Sequence, residues 1–273
     1  MHGSRVCLHW SVTCLIFLFA GAKASNAQSI LADSPEANPA RPTVSTPATL
    51  TPVGYLQFET GALGASDSPE FSSQVSMNEV IKLSVASRLE FLASSEPVAH
   101  SNVSGSTTDF AGDVLVGGQG IFLQGEGSRP TIAMSYLHRV YAGDAPDLDL
   151  GSPTNSLVVL ASADVKGFHY DTNALFNEVV NGGVRRAQFG QTLSISHAVA
   201  GKFEMAGEIW HFSQPFLRSN AVGNLWAFSY APKSTLVLDI GFDHGLTRTS
   251  TQWEAFAGFT YLLPHRLWKP GGK

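Results

Sequence analysis

Cysteine is almost absent from this chain: its 273 residues contain two, Cys7 and Cys14, both within the first twenty. That stretch reads as a secretory leader, so the exported product has no disulfide, no zinc–thiolate site and no thiol nucleophile. Its stability must come from backbone hydrogen bonds and packing. Charged residues are also scarce, at 14%, and the formal net charge of −5 comes with no basic cluster, which excludes a nucleic-acid-binding surface. Long apolar runs are missing too. Cys14 to Ala20 (CLIFLFA) is too short for a membrane helix, which needs about 20 residues, and no later segment offers one. Helical periodicity is sustained nowhere, and no Walker loop or dinucleotide fingerprint exists. Gly117-Gly118-Gln119-Gly120 lies within a strand-like stretch and precedes no helix, so it does not read as a phosphate cradle.

What is present falls into four segments. His2 and Arg5, the apolar core and Ser25-Asn26-Ala27 make residues 1–27 a cleavable signal peptide, with an uncleaved anchor as the alternative. Residues 28–52 read as a Pro/Ser/Thr-rich periplasmic tether. Asp33 to Pro52 holds five prolines and no apolar period, and is expected to be extended and unpacked. Residues 53–263 are rich in glycine, serine, β-branched and aromatic residues, and 264–273 form a periplasmic C-terminal tail.

The third segment alternates. In Gln252 to Leu263, Trp253, Ala255, Ala257, Phe259, Tyr261 and Leu263 share one face, while Glu254, Gly258 and Thr260 take the other. Leu236, Leu238, Ile240 and Phe242 oppose Thr235, Asp239 and Asp243; Phe189, Leu193 and Ile195 oppose Gln188, Thr192 and Ser194. Period two over segments of about ten residues suits a strand that spans a membrane. The pattern predicts strands at 53–61, 73–85, 88–95, 111–123, 131–140, 155–165, 167–177, 187–199, 201–212, 221–230, 234–244 and 252–262. Tight turns are expected to alternate strictly with longer polar loops at 62–72, 96–110, 141–154, 178–186, 213–220 and 245–251. The fold expected is all-β: a closed antiparallel up-and-down transmembrane β-barrel of about 12 strands, in the bacterial outer membrane, with both termini in the periplasm. Closure removes unpaired edges, which lipid would not tolerate. Aromatic residues near strand ends, among them Phe168, Tyr170, Trp226, Tyr230, Trp253 and Tyr261, would form interfacial girdles. A soluble secreted β-protein is the rival fold.

Three passages resemble a known family. Ala111 to Gly117 (AGDVLVG) with Ile121 to Pro130 (IFLQGEGSRP), Val80 to Phe91 (VIKLSVASRLEF), and Asp239 to Thr247 (DIGFDHGLT) with Trp253 to Tyr261 (WEAFAGFTY) are similar to hairpins of the MetA-pathway-of-phenol-degradation transporter family. The resemblance implies an outer-membrane barrel that passes small, often hydrophobic or aromatic compounds. Gln119 stands where that family often has an inward lysine, and the chain continues past its last strand instead of ending on an aromatic residue.

With the apolar face on lipid, the polar face lines a lumen. Glu204, Glu208, Asp239, Asp243, Glu254 and, across the seam, Glu59 would form an acidic wall. Lys82, Arg88 and Arg139 would face inward beside Glu90 and Asp113, and Asp171 and Gln119 complete the candidate solute path. The lumen is either an open passive channel or plugged by its own paired charges, as in a structural or adhesion barrel. His138, His169, His197, His211, His244 and His265 show no metal-ligand spacing, so neither a metal nor another cofactor is expected. His211 with Ser213 is the one candidate pair for a phospholipase-like hydrolase, with histidine as base and serine as nucleophile. The expected partners are the lipid bilayer, small solutes and the barrel-assembly machinery, and the expected state is a monomer.

Overall fold

The computed structural model describes residues 35–151 and 153–268. The expected signal peptide lies outside them, as do the first part of the tether and the end of the tail. Thirteen strands follow in order: β1 Leu56–Ser66, β2 Ser73–Ala86, β3 Leu89–Val103, β4 Ser106–Phe110, β5 Val114–Leu123, β6 Thr131–Tyr141, β7 Pro153–Val165, β8 Phe168–Asn181, β9 Val184–Ala200, β10 Phe203–Gln214, β11 Ser219–Lys233, β12 Leu236–Gly245 and β13 Trp253–Leu262. None of the described residues is helical.

Every strand pairs antiparallel with its neighbours, and the order closes on itself through β1–β13 and β2–β3. Twelve strands make the ring, and β4 is an addition that pairs only with the end of β3. The chain enters and leaves at one rim, where Leu56, Leu83 and Leu262 meet. Ser66 and Trp253 mark the opposite rim.

The two faces invert the usual order of a globular protein. Val75, Met77 and Ile81 on β2, Phe189 on β9 and Ile240 on β12 are each at least two-fifths exposed. Between them Gln74, Ser76, Lys82, Gln188, Asp239 and Asp243 are buried. An alternating strand in water turns its apolar side inward; here that side faces out, which is stable only against hydrocarbon. The ring therefore encloses a polar lumen.

Five expectations change. The loop read at 96–110 contains β4, because β3 runs on to Val103 and turns back through Ser104 and Gly105, both at positive φ. The longer loop expected at 178–186 is a two-residue turn: Gly182 and Gly183 have φ of 56° and 79°, the left-handed pair that a type I′ hairpin requires. The strict alternation of short and long links therefore fails, since the 124–130 link at the terminal rim is longer than this one at the far rim. Arg88, expected to face inward at the start of a strand, sits exposed in the β2–β3 turn, because β3 begins only at Leu89.

The largest change concerns the tether. Residues 35–52 are neither free nor unpacked, because they are hydrogen-bonded to inward-facing side chains of the barrel. The tail also bonds to the barrel, Leu267 N–H donating to Gly54 O at 2.7 Å while the Arg266 guanidinium covers the Tyr55 ring.

Candidate functional site

The lumen is occupied by two inserted segments. The first is a strap, residues 35–52, which enters beside the β11–β12 turn, where Ala37 N–H donates to Ser234 O at 2.8 Å. A proline-rich segment suits this position: five prolines bring no N–H donor and hold the chain extended, so it neither helps nor extends a sheet. The donors that remain must find acceptors.

They find inward side chains, strand after strand. Asn38 N–H donates to Gln57 Oε1 at 2.8 Å, and Gln57 Nε2 returns a bond to Asn38 O at 2.8 Å. Ala40 and Arg41 N–H groups donate to the Glu59 carboxylate at 3.0 and 3.1 Å. The same carboxylate is paired with Lys82, both side chains being almost fully buried. Arg41 bonds Asp239 at 3.0 Å. Further round, Val44 and Ser45 N–H groups each donate to Glu208 at 2.7 Å, and Ser45 Oγ lies 2.7 Å from Thr192 Oγ1. Thr46 N–H donates to Asn173 Oδ1 at 2.7 Å, and Asn173 Nδ2 donates to Thr46 O at 2.9 Å. Ala48 N–H reaches Ser162 Oγ, Gln119 Nε2 reaches Pro47 O, and Thr51 N–H reaches Glu90. Bonds to charged acceptors contribute about 1.5–3 kcal/mol each, so the strap is held by a distributed set of strong contacts.

Room for Arg41 comes from two glycines. Gly61 and Gly258 face each other across β1 and β13, and Gly258 also faces Asp239 across β12. A Cβ at Gly61 would lie 2.4 Å from the Arg41 guanidinium carbon, so only glycine lets the side chain lie flat on the wall and reach Asp239.

The second insert lies in the β6–β7 link, over residues 142–151. Asp149 O accepts from Gln214 Nε2 at 2.7 Å, and Asp149 Oδ1 accepts from Thr251 N–H at 2.8 Å. Leu148 and Leu150 pack on the luminal clusters of Leu225, Phe256, Trp210 and Phe212, and Val44 of the strap packs on the same clusters. Burial pushes the Asp149 carboxyl up to about 6, against the lowering effect of the Thr251 bonds. Two spaces flank the inserts. One of about 730 Å³ opens beside Arg41, His169, Asp171 and Glu204, and one of about 310 Å³ lies between Glu79, Glu96, Asp113 and Leu148.

Of the residues read from sequence as lumen candidates, Glu59, Lys82, Glu90, Gln119, Glu208 and Asp239 all contact the strap. Arg139 pairs with Asp113 at 3.0 Å. Asp171 accepts from Ser162 and faces His169, and Glu204 lies at the terminal rim beside the larger space. Asp243 and Glu254 face each other across β12 and β13 near the far rim. Arg88 joins none of these groups.

The girdle candidates all sit on the outward parity. Phe168 stacks on His197 and Tyr230 on Phe203 near the terminal rim, while Trp253 contacts His244 near the far one. Tyr170 and Tyr261 are half-buried, and Trp226 stands at the midpoint of β11 rather than at an end. His211 and Ser213 serve other partners: His211 Nε2 lies 3.1 Å from Asn220 Oδ1, and Ser213 Oγ accepts Phe189 N–H at 2.8 Å. Among the described residues no three carboxylate, imidazole or thiol groups converge as metal ligands do. Sequence reasoning missed Gln57, Ser162, Asn173 and Thr192 as strap contacts. Their signal was their inward parity, which carries no mark of a partner.

A closed ring of twelve antiparallel strands, apolar outside and polar within, defines an outer-membrane-type β-barrel fold. Comparison with solved structures agrees. The COG4313 outer membrane channel from Pseudomonas putida F1 superposes with a TM-score of 0.56 over 79% of this chain and 98% of that one, at 12% identity. The NanC porin superposes with a TM-score of 0.51 over 76% of this chain and 98% of that one, also at 12% identity. What these proteins share with the chain is the fold. No protein-family model and no curated relative matches the sequence.

Proposed function

We propose that this protein is a passive outer-membrane channel for small solutes whose lumen is narrowed by its own N-terminal strap. The supporting observation is the inversion of the barrel, with exposed Val75, Ile81, Phe189 and Ile240 outside and buried Gln57, Gln74, Gln119 and Gln188 inside. Hydrophobic and aromatic solutes are the first to assay, given the sequence resemblance to the phenol-degradation transporters. The barrel would act as a monomer, delivered to the membrane by the assembly machinery after removal of residues 1–27.

Planar-bilayer conductance of the folded chain, with and without residues 35–51, tests this reading. Expected are small currents from the full chain and clearly larger ones after deletion. A correctly folded barrel that conducts in neither form contradicts the channel. That outcome favours the second reading, a plugged structural or adhesion barrel, which the dense bonding of strap to wall also fits.

A further inference from the structure

The far rim is divided by charge. The β1–β2 link carries Asp67 and Glu70, β4 carries Asp109, and the β6–β7 link carries Asp144 and Asp147, with no lysine or arginine in any of the three. On the other side of the ring the β10–β11 turn and the β12–β13 link carry Arg218 and Arg248 and no acid, and β9 begins with Arg185 and Arg186 close behind its first residue. These elements are stitched together. Arg186 donates to Pro215 O at 2.6 Å, and its guanidinium lies 5.0 Å from the Phe216 ring centre. Thr247 and Thr249, on either side of Arg248, both donate to Asn220 O, at 3.1 and 2.6 Å. Arg248 is thereby held beside the turn that presents Arg218.

Arg185 pairs with Glu178 at 2.8 Å, but among the described residues Arg218 and Arg248 have no partner, and both are exposed. Two neighbouring guanidinium groups without an acid repel unless an anion joins them. Arg218 also takes a φ of 53°, where glycine or asparagine would fit the turn without strain, so the backbone does not account for an arginine there. Their height decides what reaches them. Tyr230 stacks on Phe203 in the girdle of the terminal rim, and from there to Asn220 a strand tilted by about 40° climbs roughly 25 Å, the height of the apolar band. The outward wall turns polar at that level, where His211 Nε2 lies 3.1 Å from Asn220 Oδ1. Arg218 and Arg248 therefore stand where lipid headgroups begin, above the exposed Ile209, Trp226 and Phe242.

We infer that Arg218 and Arg248, with Arg185 on the adjoining hairpin, bind the phosphate groups of an outer-leaflet glycolipid of the lipid A type, whose acyl chains lie on the β9–β12 wall. A guanidinium offers paired N–H donors that match phosphate oxygens, which a single ammonium does not. The lipid fits better than a soluble phosphate because its chains cover the exposed Phe189, Ile209 and Leu217 of the same sector. The acidic sector repels the same headgroups, so the lipid is confined to one side of the barrel. The site rests on the outer-membrane reading, with the termini in the periplasm, and is independent of conduction.

The test is binding of lipid A to the full chain folded in neutral detergent micelles, followed by native mass spectrometry across a titration. Lipid A stripped of its phosphates, phosphatidylglycerol and inorganic pyrophosphate are the comparisons. Saturable binding of lipid A is expected, lost with the stripped lipid, weaker with phosphatidylglycerol and absent with pyrophosphate. Arg218→Gln/Arg248→Gln should weaken it by about tenfold or more, whereas Arg129→Gln/Lys166→Gln, which removes two exposed charges at the terminal rim, should leave it unchanged. Heat-modifiable migration on gels checks that both variants are folded. Equal loss in the two variants, or binding of the stripped lipid, phosphatidylglycerol or pyrophosphate as tight as that of lipid A, would overturn the proposal, as would a salt-sensitive dimer that excludes the lipid. Labelling of Arg218→Cys on intact cells by a membrane-impermeant maleimide tests the orientation separately. A labelled barrel that binds no lipid A loses this site alone, and an unlabelled one loses the outer rim and the site together. A barrel that binds the lipid but shows no conductance would leave this site standing while refuting the channel.

Discussion

The two halves of the lumen treat their acids differently. In the half nearest the termini, Glu59, Glu90, Glu208 and Asp239 each meet a cation or strap N–H groups. In the far half Asp113 still pairs with Arg139, whereas Asp149 and Asp243 meet Thr251 and an indole and, among the described residues, no cation. The same chemistry is braced by the strap in one place and left to the 142–151 link and the wall in the other. What separates them is reach: the strap runs round the inner wall through β10, β8, β7, β5 and β3 without extending to the far rim.

Lys82→Ala should give the largest effect. It leaves Glu59 buried beside strap N–H groups but without its cation, and losing one partner of such a pair costs about 3 kcal/mol. A denaturant midpoint measured in micelles checks it, and an unchanged midpoint would mean that the paired half is no better held than the other. Gly61→Val follows. The new side chain collides with the Arg41 guanidinium, separating Arg41 from Asp239 at about 1–3 kcal/mol and raising conductance as the strap loosens.

The far half should answer to pH instead. The bound Asp149 carboxyl is pushed up to about 6, above its ordinary value of 3.8, so the docked link holds its proton more tightly than the released one. Docking is therefore favoured below pH 6 and weakened as pH rises from about 4 through 6. Protease cleavage within 142–152 should be slower at pH 5 than at pH 8, with the difference abolished by Asp149→Asn. Equal rates in the parent protein would show that burial of this carboxyl does not govern the link. Ser213→Ala, outside both halves, should cost only about 1 kcal/mol for the bond from Phe189 N–H and leave phospholipid content unaltered.

Much of the barrel was legible in sequence because period-two patterning directly encodes which face meets lipid. The β12–β13 hairpin shows it, with Leu238, Ile240, Phe242 and Phe259 outward and Asp239, Asp243 and Thr260 inward. The strap was not legible, because its specificity lies in backbone N–H and C=O groups that any sequence possesses. Its prolines spoke only of extension. Gly182-Gly183 was a readable hairpin signal that the polar residues around it concealed, and Arg88 was misplaced because β3 starts one residue later than its period suggested, at Leu89. Asp243 and Glu254 were each identified, whereas Asp149 was not, because no strand period marks a residue of a link.

The most direct measurement is a disulfide test of the strap. Ser45 Oγ and Thr192 Oγ1 are 2.7 Å apart, so Ser45→Cys with Thr192→Cys places two sulfurs within bonding range. In a variant lacking residues 1–27, which hold Cys7 and Cys14, these are the only thiols in the chain. The account predicts a bridge that forms under mild oxidation in the folded barrel, blocks maleimide labelling, and is reversed by reductant. Two free thiols that label readily in the folded protein would contradict a strap held inside the lumen.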